Sequence, residues 1–368
     1  MMENSSGSRI DRISIQGFRS IKSCDIRLGG INILIGANGA GKSNFISVFR
    51  MIQQIFAKRL QNYVTYNGGP DSLLWFGRKE TERLSVSLFF GNNGYGFDLI
   101  PTKNNQMMFE DEWFSWDLNK DRFSLGSGHL ESQYDIGAGG PMDEYIQKEI
   151  RQWIIYHFND TADTAKIKQI HTITDNICLY QDGRNIASYL YLMKQLCPNN
   201  YQRIRKIVQL VAPFFDDFVL RPKPENPETI ELEWHSTHGD GQKLFKAADM
   251  SEGTLRFICL ATLLLQPIEN IPETILIEEP EIGLHPYAIS LLAALIKSAS
   301  IDKQIIVSTQ SAYLLSEFEA QDIIVVDWVD DSSCFRRLED DEGLQKWVAQ
   351  DYSLGDLWEK NIFGGRPQ

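Results

Sequence analysis

The stretch Gly36-Ala37-Asn38-Gly39-Ala40-Gly41-Lys42-Ser43 decides the fold of this chain. It fits the pattern G-x-x-x-x-G-K-[ST], in which a glycine-rich backbone curls so that its N–H groups face phosphate oxygens. The apolar run Ile31-Asn32-Ile33-Leu34-Ile35 precedes it and predicts a buried strand. Apolar residues at helical spacing follow it: Phe45, Val48, Phe49, Ile52 and Phe56. The pattern therefore lies at a strand-to-helix junction, where it predicts a nucleoside triphosphate site.

Each polar group of this loop has an expected role. Lys42 is placed to reach the β- and γ-phosphates, and the Ser43 hydroxyl is placed to ligate Mg²⁺. The loop and the first helical turn are expected to contact the phosphates through Gly36, Asn38, Gly39, Ala40, Gly41, Lys42, Ser43 and Asn44.

A second pattern, Thr274-Ile275-Leu276-Ile277-Glu278-Glu279, predicts an apolar strand that ends in two acids. Such a strand end lies at the carboxyl edge of a parallel sheet, where a phosphate loop also opens. Phosphoryl hydrolysis needs one acid near Mg²⁺ and another to orient or deprotonate the attacking water. Glu278 suits the metal role and Glu279 the water role. The alternative is a surface acidic cluster that follows a core strand.

A third pattern is Ser251-Glu252-Gly253, which precedes a predicted helix over 254–265. Serine and glycine at a helix start can bind an anion, although both also favour ordinary helix caps. The pattern is informative because it lies some twenty-five residues before the acidic pair.

Composition fits a globular protein, with 43% apolar and 23% charged residues among 368. No apolar run is long enough for a membrane span, and no signal peptide is visible. Five cysteines without C-x-x-C spacing indicate reduced thiols and a cytoplasmic location.

The net charge of the chain is −13. Residues 1–60 carry nine Lys/Arg against three acids, so the net charge of the remaining residues is −19. DNA binding is therefore expected to be weak.

Strands alternating with helices after about residue 241 predict an α/β fold with a parallel sheet. Residues 1–100 and 241–368 are expected to form one discontinuous nucleotide-binding domain, with 101–240 inserted as a lid or side domain. Residues 101–140 have no clear period, and a helix is predicted over 142–156. Trp113 and Trp116 either fill a small core, form a partner interface or stack on bases.

Taken in order, these patterns resemble the ABC-type ATPase heads of the RecF, SMC and OLD group of AAA-family ATPases. Two further motifs carry the resemblance: Gly283-Leu284-His285-Pro286 and Ser308-Thr309-Gln310-Ser311. The chain is most similar to a bacterial subgroup of short predicted ATPases that lack the SMC coiled coil and the OLD nuclease domain. Motifs such as Tyr156-His157-Phe158-Asn159-Asp160-Thr161 and the tail Leu354-Gly355-Asp356-Leu357-Trp358 support this subgroup.

The resemblance implies a P-loop head that sandwiches ATP between two protomers and hydrolyses it to ADP and phosphate. Ser251 and Gly253 would then act in trans, in a homodimer or higher oligomer. Two departures bear on rate: Glu278 stands where the superfamily usually has Asp, and Gln310 where many ABC proteins have a switch histidine. Gln310 can hydrogen-bond the γ-phosphate or the water but cannot carry a proton, so slow turnover is expected.

Three outputs of the ATP cycle are compatible with the resemblance. The first is regulation of a separate effector protein, for example in phage defence. The alternative is a RecF-like DNA-binding repair or maintenance ATPase. A transporter subunit is disfavoured because the glutamine-ended signature and the switch histidine are missing. Fold analogy alone does not choose among these outputs.

Overall fold

Two units make up the chain in the computed structural model. The first comprises Met1–Trp153, Glu273–Leu276 and Asp302–Gln368, and the second comprises Ile154–Pro272 and Ile277–Ile301. The structure describes residues 9–115, 122–134, 150, 153–158, 160, 164–237, 243–338, 344, 347 and 351–366. Within these residues, no helix has the length and hydrophobicity needed to cross a bilayer. All five cysteines are free thiols, as the sequence predicted.

The described part of the first unit consists of strands and mostly short helices. Its strands are β1 (Arg12–Phe18), β2 (Ile21–Arg27), β3 (Ile31–Ile35), β4 (Leu84–Phe90), β5 (Asn93–Pro101), β6 (Met107–Ser115), β7 (Phe123–Gly126), β15 (Gln304–Thr309), β16 (Ile323–Val329) and β17 (Ser332–Arg337). Its helices are α1 (Lys42–Phe56), α2 (Leu60–Tyr66), α3 (Pro70–Leu73), α8 (Ala312–Leu315) and α9 (Leu354–Glu359). Strand β14 (Thr274–Glu278) begins in the first unit and ends in the second.

Two sheets organise the first unit. The antiparallel sheet has the strand order β2-β1-β4-β5-β6-β7. The loop sheet has the order β17-β16-β3-β15-β14, with β16 and β15 parallel to the central β3 and β17 antiparallel at the edge. Because β3 has a parallel strand on each side, its buried residues form the continuous apolar run seen in the sequence.

Helix α1 supplies much of the core beside the loop sheet. Its apolar residues recur every three or four positions, and Phe45, Phe49 and Ile52 are fully buried. The rings of Phe45 and Phe49 lie 5.7 Å apart, and the Phe49 ring meets Trp153 edge-on at 5.2 Å. This packing fixes the helix start, and therefore fixes the loop that precedes it.

The described part of the second unit combines short strands with longer helices. Its strands are β8 (Ile154–Tyr156), β9 (His171–Thr172), β10 (Phe215–Val219), β11 (Thr229–Ile230), β12 (Glu233–Ser236) and β13 (Leu244–Lys246). Its helices are α4 (Ile186–Leu196), α5 (Pro198–Val211), α6 (Glu252–Leu265) and α7 (Pro286–Ala299). Strands β10, β12 and β13 form one small sheet, and β11 and β9 form another.

The structure differs from the sequence predictions in the middle of the chain. Residues predicted to lack a period form β6 and β7, which extend the antiparallel sheet from β5. The predicted helix over 142–156 ends in strand β8, and most of it lies outside the described residues. Trp113 is only 3% exposed, so its ring is not open to a partner protein or to a base. Trp116 lies outside the described residues.

The unit boundaries also differ from the predicted insertion over 101–240. Strand β6 pairs along β5, which keeps residues 107–115 in the first unit. Helices α6 and α7 group with the second unit, although the sequence suggested that everything after 241 returned to the nucleotide-binding domain. The role of this middle segment as a lid stays a prediction.

Candidate nucleotide site

The loop over 36–43 connects β3 to α1 and passes two points that exclude a side chain. A Cβ on Gly36 would overlap the carbonyl oxygen of Val326 in the neighbouring strand β16. Gly41 has φ +117°, a left-handed conformation that favours glycine, and a Cβ there would overlap Ser333 Oγ. The glycines of the pattern are therefore required by the path of the backbone, as the motif predicts.

Lys42 is the first residue of α1 and is only 5% exposed. Its Nζ donates to the carbonyl oxygens of Gly36, at 2.6 Å, and Ala37, at 3.0 Å. The ammonium group therefore lies against the first residues of the loop, and the phosphate contact that the motif assigns to it stays a prediction.

The start of α1 offers N–H groups to an anion. In this fully described helix, no side chain caps the N-terminus and no acidic residue lies in the first turn. The first N–H groups of a helix have no partner within the helix, and the helix dipole adds partial positive charge at the same end. Ser43 is exposed there, and its hydroxyl is an oxygen donor of the kind that Mg²⁺ prefers.

Asn44 belongs to a polar cluster that sequence reasoning missed in part. Its Nδ2 donates to Ser20 Oγ at 2.6 Å, and Ser20 Oγ lies 2.6 Å from Ser333 Oγ. Ser20 follows β1, and Ser333 lies in β17, 313 residues further along the chain. No local pattern in the sequence marks either serine, because each is brought to the loop by sheet pairing.

Gln310 lies at the same edge of the loop sheet as the loop itself. It follows β15, whose last residue, Thr309, pairs with Ile35 at the end of β3. Gln310 and Gly36 therefore each stand one residue beyond this pair, and the Gln310 side chain is half-buried. The register therefore places Gln310 at the same strand edge as the start of the loop.

The chain's C-terminal segment also reaches the loop, which the sequence did not predict. A cavity of 580 Å³ is lined by loop residues 37–40, by residues 326–329 and by Gly364, Gly365 and Arg366. Gly365 N donates to Asp327 Oδ1 at 2.5 Å, and Arg336 Nη2 donates to the Phe363 carbonyl at 2.7 Å. These two bonds hold the segment against β16 and β17.

In the second unit, the acidic pair stands where β14 ends. Glu278 is the last strand residue and is 8% exposed. Glu279 has φ +47°, a strained value for a residue with a side chain, and is half-buried. His157 Nδ1 lies 3.9 Å from Glu278 Oε2. The sequence marks His157 only as part of the motif over 156–161, and the fold brings it beside this acid.

The Ser251-Glu252-Gly253 segment opens α6. Ser251 is exposed, and its Oγ accepts a hydrogen bond from Thr254 N at 3.2 Å, which makes it an ordinary N-cap as well as a candidate anion ligand. A Cβ on Gly253 would overlap the Gly283 carbonyl oxygen. Arg256 Nη1 donates to the Ile282 carbonyl at 2.7 Å, so the helix start is bound to the loop after the acidic pair.

The predicted site residues are distributed over both units of the chain. Lys42, Ser43, Asn44 and Gln310 share the edge of the loop sheet in the first unit, and Glu278, Ser251 and Gly253 belong to the second. Among the described residues, no group of three or more His, Cys, Asp or Glu side chains could hold a metal. Magnesium in nucleotide sites is usually held by one or two protein oxygens plus phosphates, and the exposed Ser43 hydroxyl is an oxygen of this kind.

Comparison with known proteins adds a family to this geometry. Residues 31–316 match the model of a family described as "AAA domain, putative AbiEii toxin, Type IV TA system". Over 44 residues the chain is 48% identical to the DNA replication and repair protein RecF from two strains of Vibrio cholerae serotype O1. That match covers 12% of this chain and only 12% of the length of each RecF protein.

Solved structures resemble nearly the whole chain. The crystal structure of the SmcHead bound to the C-winged helix domain of ScpA has a TM-score of 0.60 at 16% identity, covering 91% of this chain and 99% of that one. The Smc head domain with an extended coiled coil, bound to the C-terminal domain of ScpA and derived from Pyrococcus furiosus, has a TM-score of 0.58 at 15% identity, covering 93% and 99%. These likenesses confirm the predicted fold, a P-loop head of the ABC type.

Proposed function

The chain belongs to the family described as "AAA domain, putative AbiEii toxin, Type IV TA system", within the ABC-type ATPases of the RecF and SMC group, and we propose that it binds and hydrolyses ATP. The observation that carries the proposal is the loop. Lys42 lies against its first residues, and the first N–H groups of α1 are uncapped beside it. Such a loop binds the β- and γ-phosphates of a nucleotide.

Each predicted residue then has a role in hydrolysis. Lys42 neutralises charge on the β- and γ-phosphate oxygens, and Gln310 hydrogen-bonds the γ-phosphate or the attacking water. Ser43 and Glu278 would hold Mg²⁺, which would supply positive charge to stabilise the negative charge on the phosphates. Glu279 orients the water and accepts its proton. The half-buried position of Glu279 and the low exposure of Glu278 support these roles.

We propose that two protomers share each ATP. Ser251 and Gly253 of one protomer would contact the γ-phosphate held by the loop of the other, so the active form would be a homodimer or a larger oligomer. The support is that Ser251 is exposed at the start of the 14-residue helix α6, where N–H groups and the helix dipole favour an anion.

The output of the cycle is proposed to be control of an effector protein, with phage defence as one setting. Both SMC-head structures were solved with the protein ScpA, and the family description mentions a toxin system. The RecF-like alternative is supported by the 44-residue match. The net charge of −19 outside residues 1–60 opposes it, because a negative surface repels a polyanion such as DNA.

One experiment tests the ATPase proposal: phosphate release from ATP and Mg²⁺ by the wild-type protein and by Glu279→Gln. We expect slow release by the wild type and almost none by the variant, which keeps its ATP affinity because the amide preserves shape but cannot accept a proton. Glu269→Gln, an exposed acid in the same unit, is the matched control. Equal turnover by wild type and Glu279→Gln would contradict the assigned role.

A second experiment distinguishes control of an effector protein from RecF-like DNA binding. It measures the affinity of the Glu279→Gln protein for duplex DNA, with ATP and Mg²⁺ present, over a series of salt concentrations. Electrostatic binding falls steeply with salt, by nearly one unit of log–log slope for each phosphate neutralised. We expect weak binding at physiological salt. Sub-micromolar affinity there would favour the RecF-like alternative.

A further inference from the structure

The antiparallel sheet of the first unit carries a row of small and basic residues on its outward face. Cross-strand partners share a face of a sheet. The registers therefore place on one face, in strand order, Arg27, Arg12, Phe89, Gly94 and Ser115. A second row on this face runs through Ser14, Ser87, Gly96 and Trp113.

Serine side chains on three strands, Ser14, Ser87 and Ser115, leave space between the arginines, and we call this space the arginine trough. Its volume is 830 Å³, and its lining includes Arg12, Arg27, Arg122, Ser14, Ser87 and Ser115. This volume is within the range of about 300–1,000 Å³ typical of small-molecule sites. The Trp113 ring lies over Gly96, and the Arg122 guanidinium lies 4.0 Å from the centre of that ring.

The charges at the trough favour an anion. Arg12 is paired with Asp25 through two hydrogen bonds, one of them 2.6 Å from Nε to Oδ1, so this pair is neutral. Arg27 and Arg122 line the trough as two further cations, and the carboxylate in the lining is that of Asp11, which accepts a hydrogen bond from Gly91 N. Guanidinium groups bind phosphate oxygens through paired hydrogen bonds.

A buried hydroxyl in the trough lacks a partner among the described residues. Ser115 is 1% exposed and lines the trough, and its Oγ has no hydrogen-bond partner there. Buried polar groups are nearly always hydrogen-bonded, so this hydroxyl needs a partner that the described residues do not supply, and an anion bound in the trough would be one.

We propose that the arginine trough is a second anion site, separate from the phosphate loop, that binds a phosphate-bearing small molecule of about mononucleotide size. Arg27 and Arg122 bind the phosphate oxygens, the Ser115 hydroxyl donates to one of them, and Phe89 offers an apolar surface, half-buried beneath Arg12. Two carboxylates beside three arginines suit a compact anion better than an extended duplex, which needs a continuous row of cations. The proposal goes beyond ATP hydrolysis and does not depend on it.

The test is calorimetric titration of inorganic pyrophosphate into the Lys42→Ala protein, in which the phosphate loop is impaired. We expect saturable binding, with affinity at least tenfold weaker when Arg27→Ala or Arg122→Ala is added. Ser87→Leu should abolish the binding, because leucine fills the trough between the arginines. Arg203→Ala, which removes an exposed arginine from α5, is the matched control and should change nothing.

Two results would overturn the proposal. The first is that millimolar pyrophosphate does not bind to the Lys42→Ala protein. This result overturns the proposal also if a 20-base-pair DNA duplex binds to the same protein. The other is binding that Arg27→Ala and Arg122→Ala leave equal to the Arg203→Ala control. Circular dichroism melting curves of all variants verify that each compared protein is folded.

Discussion

Lys42 Nζ donates to the carbonyl oxygen of Gly36, 2.6 Å away and six residues earlier in the chain. The two ends of the loop are thus joined by the side chain that the motif assigns to phosphate. A bound nucleotide would offer this ammonium group stronger, charged acceptors than a backbone carbonyl. The Lys42 side chain is therefore already ordered before a ligand arrives, and this lowers the entropic cost of binding.

Lys42→Ala should weaken ATP binding by at least about tenfold, or ~1.4 kcal/mol, because a charge-assisted contact to phosphate is lost. Titration with a fluorescent ATP analogue measures the effect. Lys206→Ala, which removes an exposed lysine from α5, is the control and should bind as wild type does. Unchanged affinity in Lys42→Ala would show that the loop does not hold the phosphates.

Mixed protomers should reveal whether Ser251 acts across a dimer. Lys42→Ala and Ser251→Arg are each expected to be inactive alone, since one loses the phosphate contact and the other blocks the helix start. A heterodimer of the two contains one intact composite site and should recover part of the ATPase activity, up to about half. Loss of the Ser251 N-cap costs about 1 kcal/mol, so the melting temperature is measured in parallel.

Activity that stays absent in a verified heterodimer would argue against trans action by Ser251. The control mixture combines two differently tagged Lys42→Ala proteins, in which no intact site can form.

Glu112→Ala should destabilise the first unit. Glu112 is fully buried and accepts hydrogen bonds from Tyr95 OH at 2.8 Å, Ser132 Oγ at 2.6 Å and Gln133 N at 2.9 Å. Removing the carboxylate leaves three donors unsatisfied, at about 1–3 kcal/mol each where they are buried. Urea unfolding should show a loss of about 3 kcal/mol or more. The exposed Glu82→Ala is the control, and a similar loss in both would contradict the account.

Stability should depend on pH through Glu231 in the second unit. Burial alone would raise the pKa of its carboxyl, but hydrogen bonds from Lys223, at 2.5 Å, and Lys246 outweigh burial and lower the pKa. A lowered pKa means that the stabilisation is complete above the ordinary glutamate value of about 4.3 and disappears as pH falls through the folded-state pKa. Urea midpoints of wild type and Glu231→Gln should therefore differ at pH 6 and converge in acid.

The control for this pH dependence is Glu228→Gln, which replaces an exposed acid directly before β11. Its urea midpoint should follow that of the wild type at both pH values. A gap between wild type and Glu231→Gln that widened in acid would reverse the assigned direction.

Sequence reasoning located the elements whose periodicity comes from burial. Strand β3 begins and ends where its apolar run does, and β4 and β5 form a hairpin that turns at Gly91-Asn92. Strand β6 was missed because it carries an extra residue, Glu110, opposite Asp98 and Leu99 of β5, which breaks the alternation, and because the buried carboxylate of Glu112 looks like polar surface in the sequence.

The candidate site divides in the same way. The phosphate loop follows from local sequence, because the backbone path requires glycine at fixed positions. Local sequence does not identify the other residues near the loop, namely Ser20, Ser333 and Arg366. Strand pairing and the packing of the tail bring them to the loop from distant parts of the chain. His157 beside Glu278 belongs to this second class.

The close approach of Gly253 to Gly283 has a mechanical meaning. Neither backbone can gain a side chain without displacing its neighbours, and the Arg256 bond to Ile282 ties the two segments further. The turn after the acidic pair and the start of α6 should therefore move together as one rigid body. Helix α6 has 14 residues, so its far end is about 21 Å away, and a small rotation at the turn becomes a larger displacement there.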